Sequence, residues 1–364
     1  MKTLPVTRPS GLSGPYATGR VAAAAQWVTA TGHGRVHGLT SPVVVTRPSV
    51  PTCKNEGSLR TVQRFVAPAA QVAELPHAQV WGPDGTVVTA DGCVVEDLTR
   101  AWGRAFEDHP IWTAQQVRAH HVVGTAAVVA ARGAATNFSH FLADTLPRIQ
   151  LIRDVGIQIG TWIVSSFDHP WQRDGLELAG IPIGNTISLT DSPLVVADTL
   201  AVPSRTGFAP LTAPWARTAL TDLLRPPEGP RHRRVLISRN RAGRRRLLNE
   251  DEVLDVLDPH GFEHVDFNNL PLAEQIRVIH ECWTIVAVHG SALGHLLHAP
   301  LAGHIVEIAN AHIARPDIWG LAALAGWSHT IAPAAPVPRE GDGEDPINHD
   351  LTADVAALRE ALLL

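Results

Sequence analysis

Between Arg234 and Ile308 the chain alternates short apolar runs with segments of helical period. Arg234 to Ser238, His264 to Phe267, Thr284 to Val288 and His304 to Ile308 read as strands, while Asn249 to Leu257, Leu272 to Cys282 and Ala292 to His298 read as helices. Asn249 followed by Glu252 marks a helix start. Apolar strands separated by single helices can satisfy both faces only as a parallel sheet covered on each side, with right-handed crossovers. Such a sheet binds its ligand outside the carboxyl ends of its strands. Ser238-Arg239, His289-Gly290-Ser291 and Glu307 all fall at such ends.

The stretch from Ile285 to Asn310 is the most telling of these. An apolar strand stops at His289-Gly290-Ser291, a helical turn follows through Ala292 and Leu293, and a second strand closes on Glu307. A helix start carries unpaired N–H groups and a partial positive charge, so a phosphate is the expected tenant of Ser291, Ala292 and Leu293. Upstream, eight arginines lie between Arg231 and Arg246 and add positive potential to the same domain. Arg239, directly after a strand end, is the first choice to grip phosphoryl oxygens and Arg246 the second. The remaining arginines of the run are expected to form solvated loop surface. Glu307 is placed to accept bonds from ribose hydroxyls, or else to pair with a nearby arginine.

A chain of 364 residues, 45% of them hydrophobic, can bury a large core and should hold about two domains, at roughly 150 residues each. Its net charge of -5 argues against binding nucleic acid, which would require a basic surplus. Cys53, Cys93 and Cys282 are too scattered for a disulfide framework or a metal knuckle. The N-terminus is broken by Pro5, Pro9 and Pro15, and no apolar run reaches the roughly 20 residues of a membrane span. A cytoplasmic protein is expected, with peripheral association to a membrane left open.

Residues 1–60, rich in Pro, Gly, Ser and Thr, read as an irregular leader or an edge decoration of the first domain. The first α/β domain is expected over 61–225. Gln79 to Trp81, Val87 to Thr89 and Cys93 to Val95 form a meander turned by Pro83-Asp84-Gly85 and Asp91-Gly92. Val122 to Ala131 reads as a buried strand and Asn137 to Val155 as a helix that Pro147 kinks or divides. Strands at Trp162 to Ser165, Thr186 to Leu189 and Leu194 to Val202 and helices at Trp171 to Ala179 and Trp215 to Leu224 follow. The second domain is expected over 226–332. The stretch 333–364 reads as a proline-rich linker and a closing helix that returns to the first domain.

Asn137-Phe138-Ser139-His140-Phe141-Leu142-Ala143-Asp144-Thr145-Leu146-Pro147-Arg148, followed in order by Ser238-Arg239, Arg246, Asn249-Glu250, Gly261-Phe262-Glu263, Glu274-Gln275 and His289-Gly290-Ser291-Ala292-Leu293, resembles glycosyltransferase family 61. The resemblance runs from about Val122 to Asn310. It implies a GT-B-like α/β fold, two Rossmann-like domains with parallel sheets facing across a cleft. It also implies inverting transfer from a nucleotide sugar with no obligatory cofactor or metal. Members of that family commonly carry Gly-Ala after the histidine, where this chain has Gly290-Ser291.

The residues support the same chemistry. Inverting transfer needs a base for the acceptor hydroxyl and positive groups for the departing diphosphate. His140 and Asp144, spaced i, i+4, project to one side of their helix, and Asp144 is favoured as base with His140 orienting a substrate. The donor is expected to be UDP-linked, the acceptor a glycan or small hydroxyl compound, and the setting polysaccharide biosynthesis. A serine hydrolase is excluded, because a G-x-S-x-G elbow about Ser291 would need glycines where His289 and Leu293 stand. The 19 histidines contain no H-E-x-x-H or comparable ligand spacing. The remaining alternative is a non-catalytic nucleotide- or glycan-binding accessory subunit.

Overall fold

A computed structural model describes residues 16–47, 63–99, 105–207, 211–313, 315–339 and 345–363. The leader's first fifteen residues, the run 48–62 and the tail acids at 340–344 lie outside the described residues. The chain divides into two compact units. One comprises 1–43, 66–207 and 213–224; the other comprises 44–65, 208–212 and 225–364.

The first unit is built on a ten-stranded mixed sheet. Its strands are β1 (Gly19–Val21), β2 (Arg35–Gly38), β5 (Gln71–Pro76), β6 (Gln79–Trp81), β7 (Thr86–Val88), β8 (Cys93–Val95), β9 (His120–Val128), β10 (Thr161–Val164), β11 (Thr186–Ser188) and β12 (Leu194–Pro203). A separate two-stranded ladder joins β3 (Val43–Thr46) to β4 (Arg64–Ala67). The neighbours β12, β9, β10 and β11 are parallel, as α/β alternation requires, whereas β5, β6 and β7 enter antiparallel. The first sheet is therefore mixed, which corrects the expectation of two parallel sheets. The described part of the N-terminal sixty residues is also more regular than a leader. β1 pairs with β8, α1 (Ala24–Thr31) buries Ala24 and Trp27, and β2 pairs with β5.

The long ladder between β9 and β12 shifts register between Ala197 and Thr199. Opposite the shift stands Gly124 at φ 86°, and its N–H donates to Asp198 Oδ2 at 2.8 Å. A bulge of this kind bends its strands. Val80 and Val87 of the meander share one core with Ile163 of β10 and Leu189 after β11.

After β9 comes the stretch predicted as one kinked helix, and it divides into three. A single turn, α2 (Phe138–His140), opens under Asn137, whose side chain accepts the N–H groups of Ser139 and His140. A π-helical turn follows over Phe141–Thr145, and α3 (Leu146–Val155) then starts with Pro147 in its first turn. Proline fits there because it has no N–H to satisfy at a helix start. The widened turn just before it carries Asp144; such turns recur at functional sites. Helices α4 (Pro170–Leu178) and α5 (Pro214–Leu224) complete this unit.

The second unit follows the alternation closely. Strands β13 (Arg233–Ile237), β14 (Phe262–Val265), β15 (Cys282–Val288), β16 (His304–Asn310) and β17 (Ser328–Val337) pair in parallel in the order β14-β13-β15-β16-β17. The antiparallel β18 (Asp350–Ala353) closes the edge. Helices α6 (Glu250–Leu257), α7 (Leu272–Glu281) and α8 (Asp317–Ala325) stand among these strands. The expected tail linker is thus partly sheet, and the closing helix α9 (Val355–Leu362) buries Leu358 in the second unit's own core with Leu236, Val286 and Val306. Ala332 and Ala334 supply the buried face that makes β17 a strand despite Pro333 and Pro336. Asn249 precedes α6 without capping it, and instead brackets β18 through bonds with the N–H and C=O of Ala353.

Candidate active site

In the first unit the predicted pair meets. His140 Nδ1 lies 2.8 Å from Asp144 Oδ2, with side-chain exposures of 14% and 17%, so the pair is sheltered yet reachable. The other carboxylate oxygen, Oδ1, accepts the hydroxyl of Thr206, which follows β12. A carboxylate accepts only, so the His140 Nδ1 must carry hydrogen and Nε2 is the basic nitrogen of the neutral ring. One turn on, Arg148 is buried and donates to the carbonyls of Ala130 at 2.6 Å and Pro203 at 3.0 Å. Burial pulls its guanidinium down to about 10 while Asp144 pushes the other way. Arg148 thus pins the ends of β9 and β12, the strands that deliver His140 and Thr206. Gln172, fully buried, holds the carbonyls of Ala134 and Ala135 in the same loop.

In the second unit, Arg239 and Gly290 come together as the motifs suggested. Gly290 is extended at φ 179°, a conformation open to any residue. The guanidinium of Arg239 lies directly over it: a Cβ there would displace Arg239 Nη1 and sit 3.1 Å from Arg239 Cζ. The strand end before Arg239 is fixed by Ser238, whose hydroxyl donates to Glu250 Oε1 at 2.8 Å in the first turn of α6. The same oxygen takes a bond from His264.

Three predicted roles change. The segment after Gly290 is a seven-residue 3-10 turn, Ser291–Leu297, and the Leu293 N–H closes on the Gly290 carbonyl, so it is not offered to an anion. Glu307 is 1% exposed and cannot meet a ribose; its two oxygens are taken by His289 Nδ1 and, at 2.7 Å, by His329 Nε2. Burial by itself would raise the carboxyl, but the two histidines hold it down at about 2. Arg246 is bound to Asp350 through Nε at 2.9 Å and Nη2 at 2.6 Å, which makes it a clamp between its loop and β18.

Arg245 takes the place expected of Arg246. At φ 56° it occupies the left-handed region. It lines a small cleft together with His289, Asn310, Arg315 and the apolar Ile313 and Ile347. Its Nε is buried without a partner. Burial first, and then the like charges of Arg239, Arg244 and Arg315, lower its guanidinium to about 9, with Glu307 opposing. Arg239 is held near 10 by burial and by Arg244. Guanidinium groups gathered against their own repulsion are the mark of a cradle for a strong anion. Among the described residues no group of three or more His, Cys, Asp or Glu is arranged to hold a metal ion.

Sequence reasoning missed Thr206, His329 and Arg245. The first two reach the site only through the sheet register. The third is separated from Arg246 by backbone conformation alone. The fold and these two sites define an α/β protein with a His–carboxylate pair beside a mixed sheet and an arginine cluster beside a mainly parallel one. Residues 138–306 match the family model for Glycosyltransferase 61, so the resemblance carried by the motifs stands and points to a glycosyltransferase in general terms. The match takes in His140, Asp144, Arg239, Arg245 and His289, and ends just before Glu307. No curated protein matches the chain.

Proposed function

We propose that the protein is an inverting glycosyltransferase of GT-B type that moves a sugar from a nucleotide sugar, UDP-linked in the first instance, to a hydroxyl of a glycan or other acceptor. The observation that carries this reading is the double engagement of Asp144, by His140 on one oxygen and Thr206 on the other. A carboxylate held on both oxygens is an orienting group, so the base passes from Asp144 to His140 Nε2, by the logic of a carboxylate-oriented histidine. The acceptor oxygen forms its bond to the anomeric carbon as the bond from that carbon to the phosphate oxygen breaks, and the acceptor proton goes to His140 Nε2. Such a base contributes about 10² to 10⁴ in rate.

The negative charge left on the diphosphate falls to Arg239, Arg245 and Arg315, with His289 beside them. On this reading the guanidinium groups neutralise the leaving group without an obligatory metal. The reaction belongs in the cytoplasm, in assembly of a polysaccharide. The test is a thermal-shift screen of the full chain against UDP, GDP, CMP and their sugars, with and without divalent metal, followed by transfer assays with whichever donor binds. No stabilisation by any nucleotide would refute the proposal. Binding without hydrolysis or transfer would instead identify an accessory binding protein.

A further inference from the structure

The hairpin between β6 and β7 meets the loop after β9 at its tip. Gly85, at φ 72°, lies so close to the loop after β9 that a Cβ there would sit 2.6 Å from the Ala130 carbonyl oxygen and 3.1 Å from Ala130 Cβ. The same carbonyl takes the Arg148 bond, so hairpin tip, loop and helix meet at one group. Next to it, Asp84 Oδ1 accepts the N–H of Gly133 at 3.1 Å. Gly133, at φ 75°, lies against the His140 ring: a Cβ would fall 3.0 Å from His140 Cδ2 and 3.6 Å from Nε2. Only glycine combines that backbone conformation with that approach.

Building on the reading of His140 as base, we propose that Asp84 is a positioning residue. It fixes Gly133 under the Nε2 edge of His140 and places a second negative charge beside the ring. The burial of Asp84 raises its carboxyl above the usual range, against the pull of the Gly133 N–H, Arg132 and His140. A carboxylate kept in a costly place against a histidine-bearing loop is the kind of arrangement found at functional sites. His140 thus stands in the field of Asp144 on its own helix and of Asp84 from the hairpin. Arg132 acts on Asp84 and Arg148 on Asp144 with the opposite sign.

The experiment is an NMR titration of the histidine rings in the full chain, with the His140 signals assigned by their loss in His140→Gln. In Asp84→Asn the amide keeps an oxygen for the Gly133 N–H, so the loop stays in place while the charge goes. The His140 midpoint should move to lower pH by about half a unit or more, with hydrogen still on Nδ1. Asp84→Ser, also short and oxygen-bearing, gives the same reading if the amide disturbs the turn. An unchanged midpoint in a folded variant overturns the proposal. The titration needs no substrate, so a shift in a protein that transfers nothing would leave the coupling intact and refute only the glycosyltransferase reading. Where transfer is measured, the acid limb of the kcat/KM profile should move with the NMR midpoint, which a purely structural aspartate would not cause.

Discussion

Each unit holds a histidine bonded through Nδ1 to a carboxylate, and the surroundings of the two pairs are opposite in sign. Around His140 the companions are Asp144, bonded to Nδ1, and Asp84. Around His289 they are Arg239, Arg245 and Arg315, and Glu307 lies beneath, 1% exposed and shared with His329. One motif therefore serves two purposes. On the proposed function, the carboxylates about His140 serve a base, whereas the guanidinium groups about His289 would receive an anion, with the buried Glu307 offsetting part of their repulsion.

That contrast is broken most severely at His140. His140→Gln should lower turnover about 10³-fold while nucleotide affinity stays within about twofold, as measured by steady-state kinetics beside calorimetry. Arg245→Gln should do the reverse in character, weakening nucleotide binding about 10²-fold, in line with the roughly 3 kcal/mol cost of losing one donor to developing charge. Arg246→Gln, one residue away, should spare nucleotide affinity and cost about 1–3 kcal/mol of stability in urea unfolding, because it strips the buried Asp350 of its guanidinium bonds and leaves it the backbone N–H of residue 246 and the more distant Arg339.

Smaller effects appear in the dependence of stability on pH. Glu307, held near 2 in the fold against 4.5 when unfolded, contributes stability that is complete above pH 4.5 and drains as the pH falls toward 2. His295 is buried and hydrogen-bonded to His298 and Gln275, and burial first, then His280, lowers it to about 3 from 6.5. The fold thus favours its neutral form. The unfolded chain takes up that proton below pH 6.5, so stability is full above 6.5 and declines as pH falls from 6.5 toward 3. Each such proton gives a slope of up to about 1.4 kcal/mol per pH unit. Unfolding midpoints of wild type and His295→Gln between pH 5 and 7 should diverge in slope; parallel curves would refute the buried neutral histidine.

Much of this was legible before any coordinates. Periodicity located the strands of the second unit from β13 to β16 and the helices between them, and the i, i+4 spacing paired His140 with Asp144. What stayed hidden depends on sheet register and backbone conformation. Thr206 lies 62 residues from Asp144, and Asp84 meets the His140 loop from a hairpin 49 residues before Gly133. Arg245 and Arg246 are chemically equivalent in a sequence, yet a left-handed φ at one of them sends their guanidinium groups to different tasks. β17 was read as linker because Pro333 and Pro336 weaken a strand signal that its buried alanines restore.

The most direct measurement is calorimetric titration of UDP into wild type, His140→Gln and Arg245→Gln. Equal affinity in the first two and loss in the third would establish a proton-handling site and a diphosphate site in separate units. Loss of UDP binding in His140→Gln, or full retention in Arg245→Gln, would contradict that division.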